Sequence, residues 1–351
     1  MSVARPTLIA FAAMLIAAGA VAAPAPKPKE QPQPAPAAAP APQPPAPDAD
    51  LAFGAFQRGL YLTAFAEATK RVEANGDVKS MTLLAELYAD GLGVPQNDQQ
   101  AATWYQLAAD RGDRNAMFAL AAFRMTGRAG PRDRDAGAKL FAAAAKLGHP
   151  AAAYNLGLLY LEGQLFPQDF KRAAELIRIA AEAGVPEAQY ALATFYKEGR
   201  GVDKDLREAA RLLGAAALAG NTDAEIEYGI ALFNGTGVAK NETAAFTYML
   251  KAARKGSPIA QRRLAFMYAT GRGAKADPVQ AARWHLIARA GGDNDQFLED
   301  FLRKLKPEDR AAAEDAAKPW IARLAAAAKA TTNASPFPDP VLPPSAAPAQ
   351  P

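Results

Sequence analysis

Beginning at Ser80, apolar and small residues fall at Leu84, Ala85, Leu87 and Tyr88, the i, i+3, i+4 spacing of one helix face. Gly91 then interrupts the pattern, and Gly93-Val94-Pro95 supplies turn residues. Asn97 precedes a second apolar face of Ala101, Trp104, Tyr105 and Ala108, which Gly112 ends. The spacing therefore predicts two antiparallel helices joined by a short loop.

The same pattern recurs without insertion or deletion every 36 residues. Glycine returns at 91, 127, 163, 199, 235 and 271, and again at 112, 148, 184, 220, 256 and 292. The core column reads Leu84, Leu120, Leu156, Leu192, Tyr228 and Leu264, and alanine stands at 108, 144, 180, 216, 252 and 288. Asn97, Asp133, Asp169, Asp205, Asn241 and Asp277 form a cap column for the second helices. Asp113, Asn221, Ser257 and Asp293 do so for the first helices, with Pro150, Pro186 and Pro258 at N1. A strict period of this size marks a solenoid whose units bury their apolar faces against each other. The expected fold is all-α: a right-handed α/α superhelical solenoid of about six 36-residue helix pairs with capping helices.

The chain divides accordingly. Residues 1–23 read as a signal peptide, with Arg5 as a positive start, Leu8 to Val21 as the apolar region and small-x-small cleavage sites at Ala18-Gly19-Ala20 and Ala20-Val21-Ala22. An uncleaved anchor is the rival reading, although the apolar stretch is at the short end for a span. Residues 24–50 are a Pro/Ala-rich linker, and 51–79 a degenerate helix pair (Leu51 to Arg58, then Leu62 to Ala74). Residues 80–292 hold the six repeats. Residues 293–328 are expected to be capping helices, Asp295 to Leu305 and Pro307 to about Leu324, with Trp320 covering the last apolar face. The Pro/Ala-rich tail spans 329–351. Export places the repeats in the periplasm, free or tethered to the inner membrane.

The columns resemble the Sel1-like repeat family, relatives of tetratricopeptide repeats. The resemblance rests on Ala188, Leu192, Tyr196, Gly199, Gly201, Val202 and Asp205, and on Ala101-Ala102, Trp104-Tyr105 and Ala108-Ala109 in the closing half. It implies an adaptor that assembles protein complexes, as in bacterial envelopes, and it implies no activity. Two units depart from the pattern. Gly127-Arg128-Ala129-Gly130-Pro131 and Gly163-Gln164-Leu165-Phe166-Pro167 lack the second glycine, and a local bend is expected there.

Chemistry is sparse along the chain. There is no cysteine, hence no disulfide framework, thiolate metal site or cysteine nucleophile. A formal charge of +4 over 351 residues, dispersed along the chain, argues against nucleic acid as a partner. His149 sits in the cap column and His285 in the buried column of Tyr105 and Phe141, so repeat position accounts for both. The G-x-G pairs at 91–93, 199–201, 235–237 and 271–273 follow helices, so they read as helix caps and not phosphate loops. No hydrolase motif occurs, and neither a catalytic residue, a cofactor nor a metal is expected.

The sharper candidate is a surface. With Ser80, Leu84, Leu87 and Tyr88 facing the core, positions 82, 86 and 89 and their equivalents point away at 100° per residue. In later repeats this stripe holds Phe118, Met125, Leu158, Ile230, Phe233 and Phe266, beside Tyr154, Leu161 and Tyr190. Those six are the expected contacts for a partner helix or peptide in a concave groove, with packing between repeats as the alternative role. A peptidoglycan or polysaccharide binder is the second expectation for function, and a cell-wall hydrolase the third.

Overall fold

A computed structural model describes residues 50–332; the leader, the linker up to residue 49 and residues 333–351 lie outside the described residues. Sixteen helices and no strand occur among the described residues. The first two are α1 (Leu51–Gln57) and α2 (Tyr61–Asn75). The repeats follow as pairs: α3 (Val78–Asp90) with α4 (Asp98–Asp110), α5 (Arg114–Thr126) with α6 (Arg134–Lys146), and α7 (Pro150–Glu162) with α8 (Phe170–Glu182). Next come α9 (Pro186–Glu198) with α10 (Leu206–Leu218), α11 (Thr222–Asn234) with α12 (Glu242–Arg254), and α13 (Pro258–Thr270) with α14 (Pro278–Ala290). The chain continues through α15 (Gln296–Lys304) and α16 (Pro307–Thr332). Each helix from α2 to α14 packs on the next, which makes the body an all-α solenoid of six repeats.

All twelve repeat helices are 13 residues long, and their ends explain why. Each first helix stops at a left-handed glycine, φ +65 to +79°, whose N–H donates to the carbonyl four residues back. Each second helix starts at the predicted Asn or Asp, whose side-chain oxygen accepts from the N–H three residues on. The backbone N–H of that same residue reaches back to the first helix: Asn97 to Tyr88, Asp133 to Arg124, and so on to Asp277, at 2.8–3.2 Å. One residue thus caps its own helix and clamps the loop before it. A second clamp closes each repeat, where Asp113, His149, Val185, Asn221, Ser257 and Asp293 donate to the carbonyls of the alanine column at 3.0–3.3 Å.

Side-chain packing follows the same columns. All six alanines of that column are inaccessible to solvent, as are Ala116, Ala152, Ala188, Ala224 and Ala260 at the start of the first helices. A methyl group is the largest substituent these close helix approaches accept. Larger core residues such as Leu84, Leu120, Ile177 and Leu264 fill the space between alanine layers.

The second loop glycine has a different job. A Cβ on Gly237 (φ +72°) would fall 1.9 Å from the Leu206 carbonyl oxygen, so the loop lies directly on the start of the preceding second helix. Gly201 and Gly273 are equally tight, at 2.2 Å from the carbonyls of Phe170 and Glu242. In the departing units both backbone clamps persist, Asp133 to Arg124 and Asp169 to Tyr160. The deviation is therefore confined to the loop. Ala129 takes φ +66°, the one positive φ outside glycine among the described residues, and Phe166 stacks on Tyr160 at 4.9 Å.

One cap and one helix end differ from the sequence expectation. Asp293 does not cap the helix after the sixth repeat; α15 starts later, at Gln296, with Asp295 accepting from the Leu298 N–H. Arg262 takes Asp293 instead, its Nε 2.9 Å from Oδ1. At the other end, α16 runs to Thr332, past Leu324 and into the expected tail, because Ala325–Lys329 is a run of strong helix formers. Trp320 does lie against the final hairpin, edge-on to Trp284 at 5.6 Å.

Gly237→Ala is expected to cost about 2–4 kcal/mol, combining left-handed strain with a backbone clash. Gly256→Ala, left-handed (φ +99°) but facing open space, should cost only about 1 kcal/mol. Urea unfolding followed by circular dichroism checks the difference; equal losses would contradict the close approach.

Candidate partner-binding site

The stripe resolves into two regions with different surroundings. Phe118 on α5 is only 7% exposed. Its ring stacks on His149 at 4.5 Å and meets Phe141 at 5.7 Å, so it joins neighbouring repeats and offers no surface to a partner. That corrects the expectation for Phe118: the start of the next first helix covers it. Met125 is half-buried against the same cluster, lying where any Cβ on Gly137 would come within 2.8 Å of its sulfur. Leu158 on α7 is half-buried, and it does not line the cavity between α11, α12 and α13.

Ile230, Phe233 and Phe266 behave otherwise. They converge on one cavity of about 250 Å³, apolar in its lining, between α11, α12 and α13. Gly229, Met249 and Met267 complete the floor. Gly229 leaves space here: a Cβ would sit 2.7 Å from the Met249 methyl group, which would have to shift. The walls are fixed by charged neighbours. The Arg272 guanidinium lies 3.9 Å over the Phe233 ring, and Glu242 holds it. Hydrogen bonds from Arg272 and then Lys240 pull the Glu242 carboxyl down to about 2. Phe266 packs against Phe297 at 5.5 Å, and Phe297 is itself 49% exposed at the rim.

Two adjacent arginines border this cavity in different states. Arg262 is paired with Asp293 and lies 3.6 Å from Asp295. Arg263 forms no ion pair among the described residues, and its buried Nε has no hydrogen-bond partner. Burial, and then the neighbouring Arg262 charge, lowers its pKa. Met249, Met267 and Asp295 escaped the sequence reading, because they come from the facing second helix, the core side of α13 and a later loop. The glycine at 229 was the available signal, since it leaves room on the helix surface.

The other titratable groups serve the fold. His149 caps α7 through Nδ1, which accepts from the Ala152 N–H, and burial lowers its pKa. His285 is 1% exposed with Nε2 3.0 Å from Glu299. The fully buried Glu225 carboxylate is met by Lys251 at 2.7 Å and Lys255 at 2.8 Å. Among the described residues no cluster of His, Cys, Asp or Glu could hold a metal ion, and no helix is long and apolar enough to cross a membrane.

Comparison with known proteins agrees with this architecture. The Sel1 repeat family model matches residues 78–113, 114–149, 150–185, 186–221, 222–257 and 258–293. The chain therefore belongs to the Sel1 repeat family. Among solved structures it is similar to a Sel1 repeat protein from Oxalobacter formigenes, 29% identical, TM-score 0.61, over 68% of this chain and 98% of that one. It is also similar to c5321, described as a protective antigen present in uropathogenic Escherichia coli strains, 28% identical, TM-score 0.54, over 82% of this chain and 69% of that one. No curated protein matches the chain. Proteins of this family are generally protein-interaction scaffolds.

Glu86 occupies the Ile230 column in the first repeat, and burial, then Asp90 and Asp113, pushes its carboxyl up to about 7. The folded protein thus holds a proton that the unfolded chain has lost above about 4.5. Its stabilising contribution is complete below that pH and disappears as pH rises through about 7. Relative to Glu86→Gln, the unsubstituted protein should lose about 1–3 kcal/mol between pH 4.5 and 8, read by urea unfolding at each pH. A constant difference would contradict the shift.

Proposed function

We propose that this protein is an envelope scaffold that binds partner proteins on the concave face of the array, through the stripe carried by its first helices. The observation that carries the reading is the convergence of Ile230 and Phe233 on α11 with Phe266 from the next repeat on one apolar cavity that the fold leaves unfilled. An anchor side chain entering it would bury apolar surface at about 25 cal/mol per Å². Leu158 and Met125 would extend contact toward the preceding repeats. The leader read from residues 1–23 supports a periplasmic location, free or tethered. We assign no catalytic role.

A second reading, glycan binding, draws on one feature. A polar cavity of about 420 Å³ beside α14 and α16 carries Tyr268, Trp284 and Trp320 together with Arg254, Asp277 and Arg283, a mixture of rings and hydrogen-bonding groups. Sedimentation with isolated wall material separates the two readings.

The scaffold reading predicts that a triple change of Ile230, Phe233 and Phe266 to Ser reduces partner capture from the native host at least about tenfold. Helical circular dichroism should be retained, and the loss should exceed that of Leu158→Ser. Unchanged capture by a folded triple variant would refute the assignment; N-terminal sequencing of the exported protein checks the leader.

A further inference from the structure

The cavity bordered by Ile230, Phe233 and Phe266 has a chemistry more specific than an apolar groove. Its volume of about 250 Å³ is below the roughly 300–1,000 Å³ of small-molecule sites and matches one bulky side chain. Arg263 lines it with a buried Nε that donates to nothing. An unsatisfied buried donor on a cation is costly, and a carboxylate oxygen removes that cost.

The surrounding charges leave this arginine available. Arg262 is occupied by Asp293 at 2.9 Å and is close to Asp295. Glu227, the other nearby carboxylate, is held by Lys197 at 2.7 Å. The local acids are thus paired with other cations: Asp293 and Glu227 act on Arg263 only at longer range, and no ion pair to it forms among the described residues.

Resting on the scaffold reading, we infer that the cavity takes an acidic partner segment. A Phe, Leu or Trp of that segment fills the space above Met249 and Met267, and the side-chain carboxylate of a neighbouring Asp or Glu meets Arg263. The partner is a protein segment because the cavity is half-open and sized for one side chain, while the exposed Phe297 extends the apolar rim beyond it. Electrostatic choice belongs to Arg263 and apolar affinity to Ile230 and Phe266, so the two can be separated.

The test uses the full chain and an array of synthetic peptides of about 12 residues, each with a central Phe, Leu or Trp. Neighbouring positions carry Asp or Glu, their amides Asn or Gln, or Lys. Binding is quantified by fluorescence anisotropy. The expected result is a preference for the acidic over the amide peptide of about 10- to 100-fold, weakening as salt rises. Arg263→Met should erase the preference while keeping apolar binding, and Arg263→Lys should restore part of it. Ile230→Ser with Phe266→Ser should abolish binding of both series.

Acidic and amide peptides binding equally, or a preference that survives Arg263→Met, overturns the inference and leaves the scaffold reading standing. Binding that ignores the Ile230/Phe266 change overturns both. Failure of every peptide to bind the unsubstituted chain also overturns the inference, as does competition by decanoate alone as strong as the best peptide, which would make the occupant a free apolar acid.

Discussion

Every repeat depends on two backbone hydrogen bonds that hold the chain where it turns. One runs from the cap residue of the second helix back to the first helix, the other from the start of the next repeat to the alanine-column carbonyl. The alanine that supplies that carbonyl is also fully buried, so the clamp and the close helix packing meet at one residue. The consequence is a common length of 13 residues for every repeat helix. Strict register is thus a mechanical result of the turn chemistry.

Register in turn converts each sequence column into a fixed place in the fold. In four repeats the residue after the first-helix glycine meets the start of the preceding second helix: Arg128 meets Asp98, Gln164 meets Arg134, Arg200 meets Phe170 and Arg272 meets Glu242. One position is filled with ion pairs, a charge-assisted hydrogen bond or a ring–cation contact as each repeat allows. Such surface pairs contribute at most about 1 kcal/mol each. Their value is in orienting loops. At Arg272 the contact also shapes the cavity, because the same guanidinium covers Phe233.

The interior tolerates charge only where partners arrive from the neighbouring helix. Glu225 replaces the glutamine found at 189 and 261, where the amide donates to the carbonyl of Ala181 or Ala253. A carboxylate cannot donate, and lysines from the facing second helix neutralise it instead. Arg263 is the contrasting case: it sits at the rim of a cavity, no acid forms an ion pair with it among the described residues, and its Nε is buried without a hydrogen-bond partner. A scaffold made of near-identical units acquires a specific place through such exceptions.

Periodicity by itself determined the architecture, since a 36-residue interval, glycine stops, Asn and Asp starts and alanine columns each act through local backbone chemistry. It also placed His149 as a cap and His285 in the core, because column identity implies burial once register is strict. The ends were less legible, as the period no longer constrains them: Asp293 was diverted to Arg262, and α16 continued through an alanine-rich run. Helical spacing listed the stripe as one face and could not say which members a neighbouring repeat would cover. Tertiary packing decided that. It buried Phe118 beneath His149, and it drew Ile230, Phe233 and Phe266 together with Met249 and Arg263, because side chains from three helices meet only after the repeats have stacked.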